Sequence, residues 1–253
     1  MTIVTRLPDA AAPLDPETAR AAFDDLLDGK AGDDDATTFL TTLAEREETA
    51  IEIAAAAEAL RARMIPVAAP PDAIDVCGTG GDGSHSLNVS TAVAIVVAAC
   101  EVPVAKHGNR AASSRAGAAD TLEALGLDLD RASDNAESTL ADLGIAFLFA
   151  QKHHPALARL ARVRRALGRR TIFNLIGPLA NPAGVKRQLI GIARADYLPV
   201  MAEALALLDA EDAMLVAGDE PLDELSVAGP SSVIRLGETM VRVAPADAGL
   251  HTH

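Results

Sequence analysis

Apolar positions recur at helical spacing through roughly the first quarter of the chain, and the period changes near residue 73. Residues 15–27, 34–46 and 48–64 each read as an amphipathic helix, apolar on one side and charged on the other. Asp15 ahead of Pro16, and Thr49 three residues before Glu52, supply N-terminal caps. Gly29, Gly32 and the proline-bearing stretch 66–71 punctuate the helices. From Ala73 onward short apolar runs alternate with helical patterns. Strands are predicted at 74–77, 102–105, 145–149, 188–192 and 213–217, and helices at 92–100, 114–125, 134–143 and 195–208. Segments 232–236 and 240–243, split by Gly237, predict a hairpin.

This alternation implies an α/β fold: an N-terminal helical domain plus a larger α/β domain with a mostly parallel central sheet. The helical domain is expected over 1–68, with 165–185 packing on it. The α/β domain is expected over 72–164 and 186–253. The helical segment carries no identifiable chemistry, and its apolar faces are free to serve a partner subunit.

Composition adds limits. With 253 residues, 49% of them apolar, the chain can bury a sizeable core. No apolar run approaches the about 18 residues of a spanning helix, and residues 1–15 lack a basic region followed by an apolar run. A cytoplasmic protein is therefore expected. Cys77 and Cys100 both fall in apolar stretches and read as reduced core thiols. The net charge of −14 argues against nucleic acid or an anionic membrane as partner. An anionic substrate would need cations gathered locally, and six arginines lie between Arg159 and Arg170.

Four segments carry candidate chemistry. Gly78, Gly80, Gly81 and Gly83 follow a short strand and precede a helix, a plan that presents backbone N–H groups and a helix dipole to phosphate. The G-x-G-x-x-G spacing is formally met, but the helix starts late and the next strand ends in Lys106, so a dinucleotide fold is disfavoured. Asn88, Ser90 and Thr91 are helix caps or oxygen donors to phosphate or metal. A second loop, Lys106 to Arg115, repeats the plan with cations and hydroxyls. Loops at the carboxyl ends of adjacent strands face one crevice. Third, if 155–167 is one helix, Arg159, Arg162, Arg165 and Arg169 share a face while Arg164 falls within the apolar stripe. A guanidinium placed there calls for a carboxylate or phosphate partner. Fourth, Asp223 and Glu224 follow an apolar strand and suit Mg²⁺, which takes carboxylates plus substrate phosphates.

Taken in order, GTGGDG…NVST at 78–91, KHGNRAASS at 106–114, LEALG at 122–126, His154-Pro155, Val163-Arg164-Arg165, Leu167-Gly168, RTIFNLIGPLANP at 170–182 and Leu222-Asp223-Glu224 resemble the anthranilate phosphoribosyltransferase family. The resemblance covers essentially the whole chain and is least distinctive in the N-terminal helices. It implies transfer of the phosphoribosyl group of PRPP to the amine of anthranilate, with release of pyrophosphate, in L-tryptophan biosynthesis. It implies that Gly78, Gly81, Asp82, Ser86, Asn88, Val89, Ser90 and Thr91 hold PRPP. Lys106, His107, Gly108, Asn109, Arg110, Ala111, Ala112, Ser113 and Ser114 join them, and Ala118 stands where the family usually has a serine. Gly78, Asn109 and Arg164 are implied to contact anthranilate, with His107 and His154 nearby. Ser90, Asp223 and Glu224 are implied to carry Mg²⁺, two ions per site, and the family is a homodimer joined through its helical domain. No covalent nucleophile is implied. Leu87 replaces the usual phenylalanine and Ala217 a usual histidine. The family pattern runs on past Leu250, so a C-terminally incomplete α/β domain is expected. Two alternatives stay open here: a pyrimidine-nucleoside phosphorylase relative, which lacks the GTGGDG…NVST and NRAASS combination, and a non-catalytic binding paralogue.

Overall fold

A computed structural model describes residues 5–83, 87–111 and 116–252. Three helices come first: α1 (Pro16–Leu27), α2 (Asp33–Arg46) and α3 (Ala50–Arg61). Asp15 caps α1 by accepting from the amides of Glu17 and Thr18, and Thr49 with Glu52 closes a capping box on α3. The α/β portion runs β1 (Ile74–Gly78), α4 (Val89–Ala99), β2 (Val104–Gly108), α5 (Ala118–Ala124), α6 (Leu129–Asp134), α7 (Ala136–Leu143) and β3 (Ile145–Phe149). It continues through α8 (Ala150–His153), α9 (Ala161–Leu167), α10 (Ile172–Leu175), β4 (Arg187–Gly191), α11 (Leu198–Leu207), β5 (Asp212–Gly218), β6 (Ser231–Arg235) and β7 (Val241–Val243).

The seven strands form one sheet in the order β3-β2-β1-β4-β5-β6-β7. The first five in that order are parallel, and β6 and β7 are antiparallel, which makes the sheet mostly parallel as expected. From β1 the chain winds outward to β2 and β3, then returns to β4 on the other side of β1 and winds outward again. The β1/β4 boundary is therefore the topological switch point, the usual position of a ligand crevice in such sheets.

Alanines explain the packing on one face. Ala54, Ala55, Ala56 and Ala57 of α3 are all buried, and α3 packs closely against α11. Side chains of α1–α3 share a continuous core with Ile172, Leu175, Ile190, Met201 and Leu215. The 172–180 stretch also packs on this layer, with the Leu179 carbonyl accepting from Arg61 Nε at 2.6 Å. On the opposite face α4 presents Ala94 to β1 and β2, while Ile95 and Val96 are exposed.

Several boundaries differ from expectation. β2 begins two residues later and continues through Lys106, His107 and Gly108, because these residues pair with Phe147, Leu148 and Phe149 of β3 and are mostly buried. The second of the two loops proposed to bind anions is thus partly strand. Residues 155–167 are not one helix: a 3₁₀ turn over Pro155–Leu160 leads into α9. The helix after the glycine loop begins at Val89, three residues earlier than the apolar pattern suggested. Cys77 is buried, but Cys100 caps the end of α4 and is exposed, so only one thiol is in the core.

Candidate functional site

At the carboxyl ends of β1 and β2 lies a cleft of about 290 Å³. β1 ends in Gly78 and leads into the glycine loop, where Gly80 and Gly81 have φ of 64° and 79°, the left-handed region that glycine enters without strain. The loop is anchored to β4, since the Thr79 amide donates to the Gly191 carbonyl at 2.9 Å. Across the switch point lies Asp223. One of its carboxylate oxygens accepts from the Gly80 amide at 2.8 Å. A Cβ on Gly78 would sit 2.3 Å from that oxygen, and one on Gly191 would sit 1.6 Å from the Asp223 carbonyl oxygen. Glycine at 78 and 191 therefore makes room for the acidic segment against the strand ends.

The charges here are poorly compensated. Burial, with the neighbouring Asp82, pushes the Asp223 carboxyl up. Burial and then Asp223 push the Glu224 carboxyl up to about 7, while the Lys106 ammonium and the Ser90 amide pull it back. Adjacent carboxylates held together against their own repulsion fit a divalent cation. Among the described residues no group of three or more His, Cys, Asp or Glu forms a closed metal cage. Two carboxylates beside a hydroxyl match Mg²⁺, which completes its shell with water and substrate phosphate.

Lys106 is nearly fully buried on β2, and its Nζ donates to the Val76 carbonyl at 2.7 Å and to Ser90 Oγ at 3.1 Å. Burial pulls its pKa down, against the pull of Asp75, Cys77 and Glu224. The neighbouring side chain, His107, turns to the other face of the strand. Its Nδ1 lies 3.1 Å from the Gly177 carbonyl, which can only accept, so Nδ1 carries the hydrogen. Nε2 is left as a buried acceptor with no partner in hydrogen-bond geometry among the described residues. The His107 and His154 rings meet edge to face with centroids 5.1 Å apart. Burial, then His154, lowers the His107 pKa to about 3, and burial, then His153, lowers that of His154 to about 4. Both rings are neutral at pH 7.

Arg164 also lines the cleft, half-buried, with its guanidinium carbon 5.8 Å from the centre of the Phe173 ring. Burial pulls its pKa down, and among the described residues no carboxylate pairs with it. The other arginines of the cluster behave differently. Arg159 donates to the Asp28 carbonyl, Arg162 pairs with Asp33, and Arg169 pairs with Glu45 at 2.8 Å, all on or beside the N-terminal helices. The cluster joins the two halves of the molecule and sends one cation, Arg164, into the cleft.

Of the residues singled out from sequence, the cleft gathers Gly78, Gly81, Asp82, Asn88, Val89, Ser90, Lys106, His107, Gly108, Asn109, Arg110, Ala111, Ala118, His154, Arg164, Asp223 and Glu224. Thr91 is buried behind the lining. Ser86, Ala112, Ser113 and Ser114 lie outside the described residues. Two lining side chains are committed elsewhere. The Asn88 amide donates to Thr121 Oγ1, and Arg110 is held by Glu123 and Asp120 at 2.7 and 3.0 Å. Phe173, Asn174, Gly177 and Pro178 also line the cleft and were not anticipated. Their stretch, 170–182, carries no charge beyond Arg170, and only a tertiary fold brings it beside His107.

The profile of the glycosyl transferase family a/b domain matches residues 70–253, and that of the same family's helical bundle domain matches residues 2–64. An anthranilate phosphoribosyltransferase of Novosphingobium aromaticivorans is 63% identical over 250 residues, spanning 98% of this chain and 76% of that protein. The crystal structure of anthranilate phosphoribosyltransferase from Thermus thermophilus superposes with a TM-score of 0.90 at 42% identity, covering 96% of this chain and 73% of that one. The Saccharomyces cerevisiae enzyme in complex with PRPP and Mg superposes with a TM-score of 0.85 at 30% identity, covering 97% and 70%. The chain belongs to the anthranilate phosphoribosyltransferase family.

Proposed function

We infer that this cleft transfers the phosphoribosyl group of PRPP to the amine of anthranilate, giving N-(5-phosphoribosyl)anthranilate and pyrophosphate. The observation that carries this is the union, in one cleft, of a glycine loop and crowded acids with a half-buried, unpaired arginine and two neutral histidines. The first group suits a metal-bound diphosphate and the second an aromatic carboxylate bearing an amine.

As the C1–O bond of the ribose breaks, negative charge grows on the departing pyrophosphate. Gly78, Gly81 and Asp82 turn the loop against it, and Lys106 and Ser90 stand beside the acidic pair that would hold the metal. Bound Mg²⁺, two ions in our reading, would supply positive charge to the diphosphate. Asp223 and Glu224 would hold it, with Ser90 contributing a hydroxyl. Arg164 offers a fork that matches the anthranilate carboxylate in two parallel hydrogen bonds, and Phe173 backs its face. His107 and His154, packed edge to face, line the cleft and would border the anthranilate ring. With no nucleophilic side chain needed, orientation and electrostatic stabilisation carry the acceleration.

We place the reaction in the cytoplasm and in a homodimer formed through the helical segment. Among the described residues no helix is long and apolar enough to cross a membrane. Sedimentation of the purified chain tests the dimer. The reaction is tested by incubating the chain with PRPP, anthranilate and Mg²⁺ and following loss of anthranilate fluorescence together with pyrophosphate release. Turnover requiring all three is the expected result. Phosphorolysis of thymidine or uridine with no consumption of anthranilate would overturn the reading.

A further inference from the structure

Strands β1 and β2 are held by backbone pairing at a single register point, Ile74 with Val104, whereas β1 pairs with β4 along its whole length from Ile74 to Gly78. Beyond Ile74 the two strands run side by side without further backbone pairing, and side chains replace the missing ladder. Lys106 Nζ reaches back to the Val76 carbonyl. From the other strand, one carboxylate oxygen of Asp75 accepts from the His107 backbone amide at 3.1 Å. Its second oxygen accepts from Asn181 Nδ2 at 2.8 Å, and the same amide group donates to the Ala105 carbonyl at 2.8 Å. Asp75 and Asn181 are both buried.

We propose that Asp75 is the positioning residue of the site: through the His107 amide and Asn181 it fixes the β1 strand leading to the glycine loop, the Lys106–His107 strand end and the 177–181 segment in one arrangement. It reaches no ligand from its buried place. Its carboxyl, which burial pushes up and the Lys106 ammonium pulls back, lies near Lys106, and its hydrogen bonds satisfy a strand amide that the sheet leaves unpaired. An apolar residue here would strand that amide. One carboxylate thus stands in for the backbone ladder between these strand ends.

This role rests on the assignment of the cleft to PRPP. The test is calorimetric titration of Mg²⁺-PRPP into the 253-residue chain, its Asp75→Asn variant and a Glu52→Gln control, with thermal melts of each. Glu52 is an equally buried carboxylate that belongs to the helical layer, remote from the cleft lining. Asp75→Asn is expected to weaken PRPP binding by about tenfold or more, the scale found for outer partners of ligating groups. The control is expected to lose thermal stability and keep its PRPP affinity. The KM for PRPP should rise in Asp75→Asn more than kcat falls. If Asp75→Asn does not melt cooperatively, Asn181→Ala replaces it, with about threefold weaker binding expected, since half of the junction remains. Unchanged affinity in the variant that folds, or an equal loss in Glu52→Gln, would overturn the role of Asp75. Failure of the unsubstituted chain to bind Mg²⁺-PRPP would instead overturn the assignment of the cleft.

Discussion

Two glutamates, one buried and one half-buried, show how differently the halves of this molecule use charge. Glu52, in the helical layer, has every oxygen engaged. It accepts from the Leu14 amide, the Thr49 amide and hydroxyl, and Arg46 at 2.6 Å. Burial pushes its carboxyl up, yet Arg46 and these hydrogen bonds outweigh burial and leave the pKa lowered. Glu224, at the cleft, lies beside another carboxylate and ends near 7. The helical layer compensates its charges internally, whereas the cleft holds charges whose partners must arrive from outside. That is the expected division between a region that stabilises the fold and one that binds an ionic ligand.

The strongest way to break this contrast is at the acids. Asp223→Asn or Glu224→Gln should lower kcat/KM by about 10²–10³-fold, the scale for losing one electrostatic contribution to a developing charge. The ligand-free melting temperature should hold or rise, because repulsion is relieved. Gly191→Ala should be comparably damaging, since its Cβ would collide with the Asp223 backbone. Next in size, Arg164→Ala should raise the KM for anthranilate by about 10–100-fold, matching the roughly 1.5–3 kcal/mol of a charge-assisted hydrogen bond. Calorimetry should find its PRPP affinity unchanged.

Two pKa shifts of opposite direction, whose effects both grow with rising pH but in different ranges, sharpen the comparison. Glu52 has a lowered folded-state pKa, so its stabilising contribution is present above the unfolded value and disappears as the pH falls through the folded one. Glu224 has a raised pKa and must lose its proton to accept a cation. Affinity for Mg²⁺-PRPP should therefore climb as the pH rises from about 6 to about 8, by at most about tenfold per unit below the pKa. Titrations at three pH values decide this. The smallest effect belongs to Arg162→Ala, whose exposed pair with Asp33 should contribute no more than about 1 kcal/mol to chemical denaturation and nothing to turnover.

Much of this was legible in the residues, and the exceptions have physical causes. Alternating apolar runs located every strand, and the glycine loop, Lys106, Arg164 and the Asp223-Glu224 pair line one cleft. The end of β2 was misplaced because a lysine and a histidine read as loop, whereas burial between β1 and β3 keeps them in the sheet. The arginine cluster read as a local source of positive charge. Three of its members instead reach acids or a carbonyl that are distant in sequence and belong to the N-terminal segment. Asp75 and Asn181 gave no signal. Each is a lone polar residue in an otherwise apolar or turn-like stretch, and their meaning appears only where backbone pairing between two strands stops.

The central claim is that the cleft's uncompensated charge is kept for a metal-bound diphosphate. Thermal melting of the chain and of Glu224→Gln, each with and without Mg²⁺-PRPP, tests it most directly. The account predicts a clear upward shift for the unsubstituted chain. It predicts little or none for Glu224→Gln, whose ligand-free melting temperature is equal or higher. An equal ligand-induced shift in both proteins, or a ligand-free variant much less stable than its parent, would contradict it.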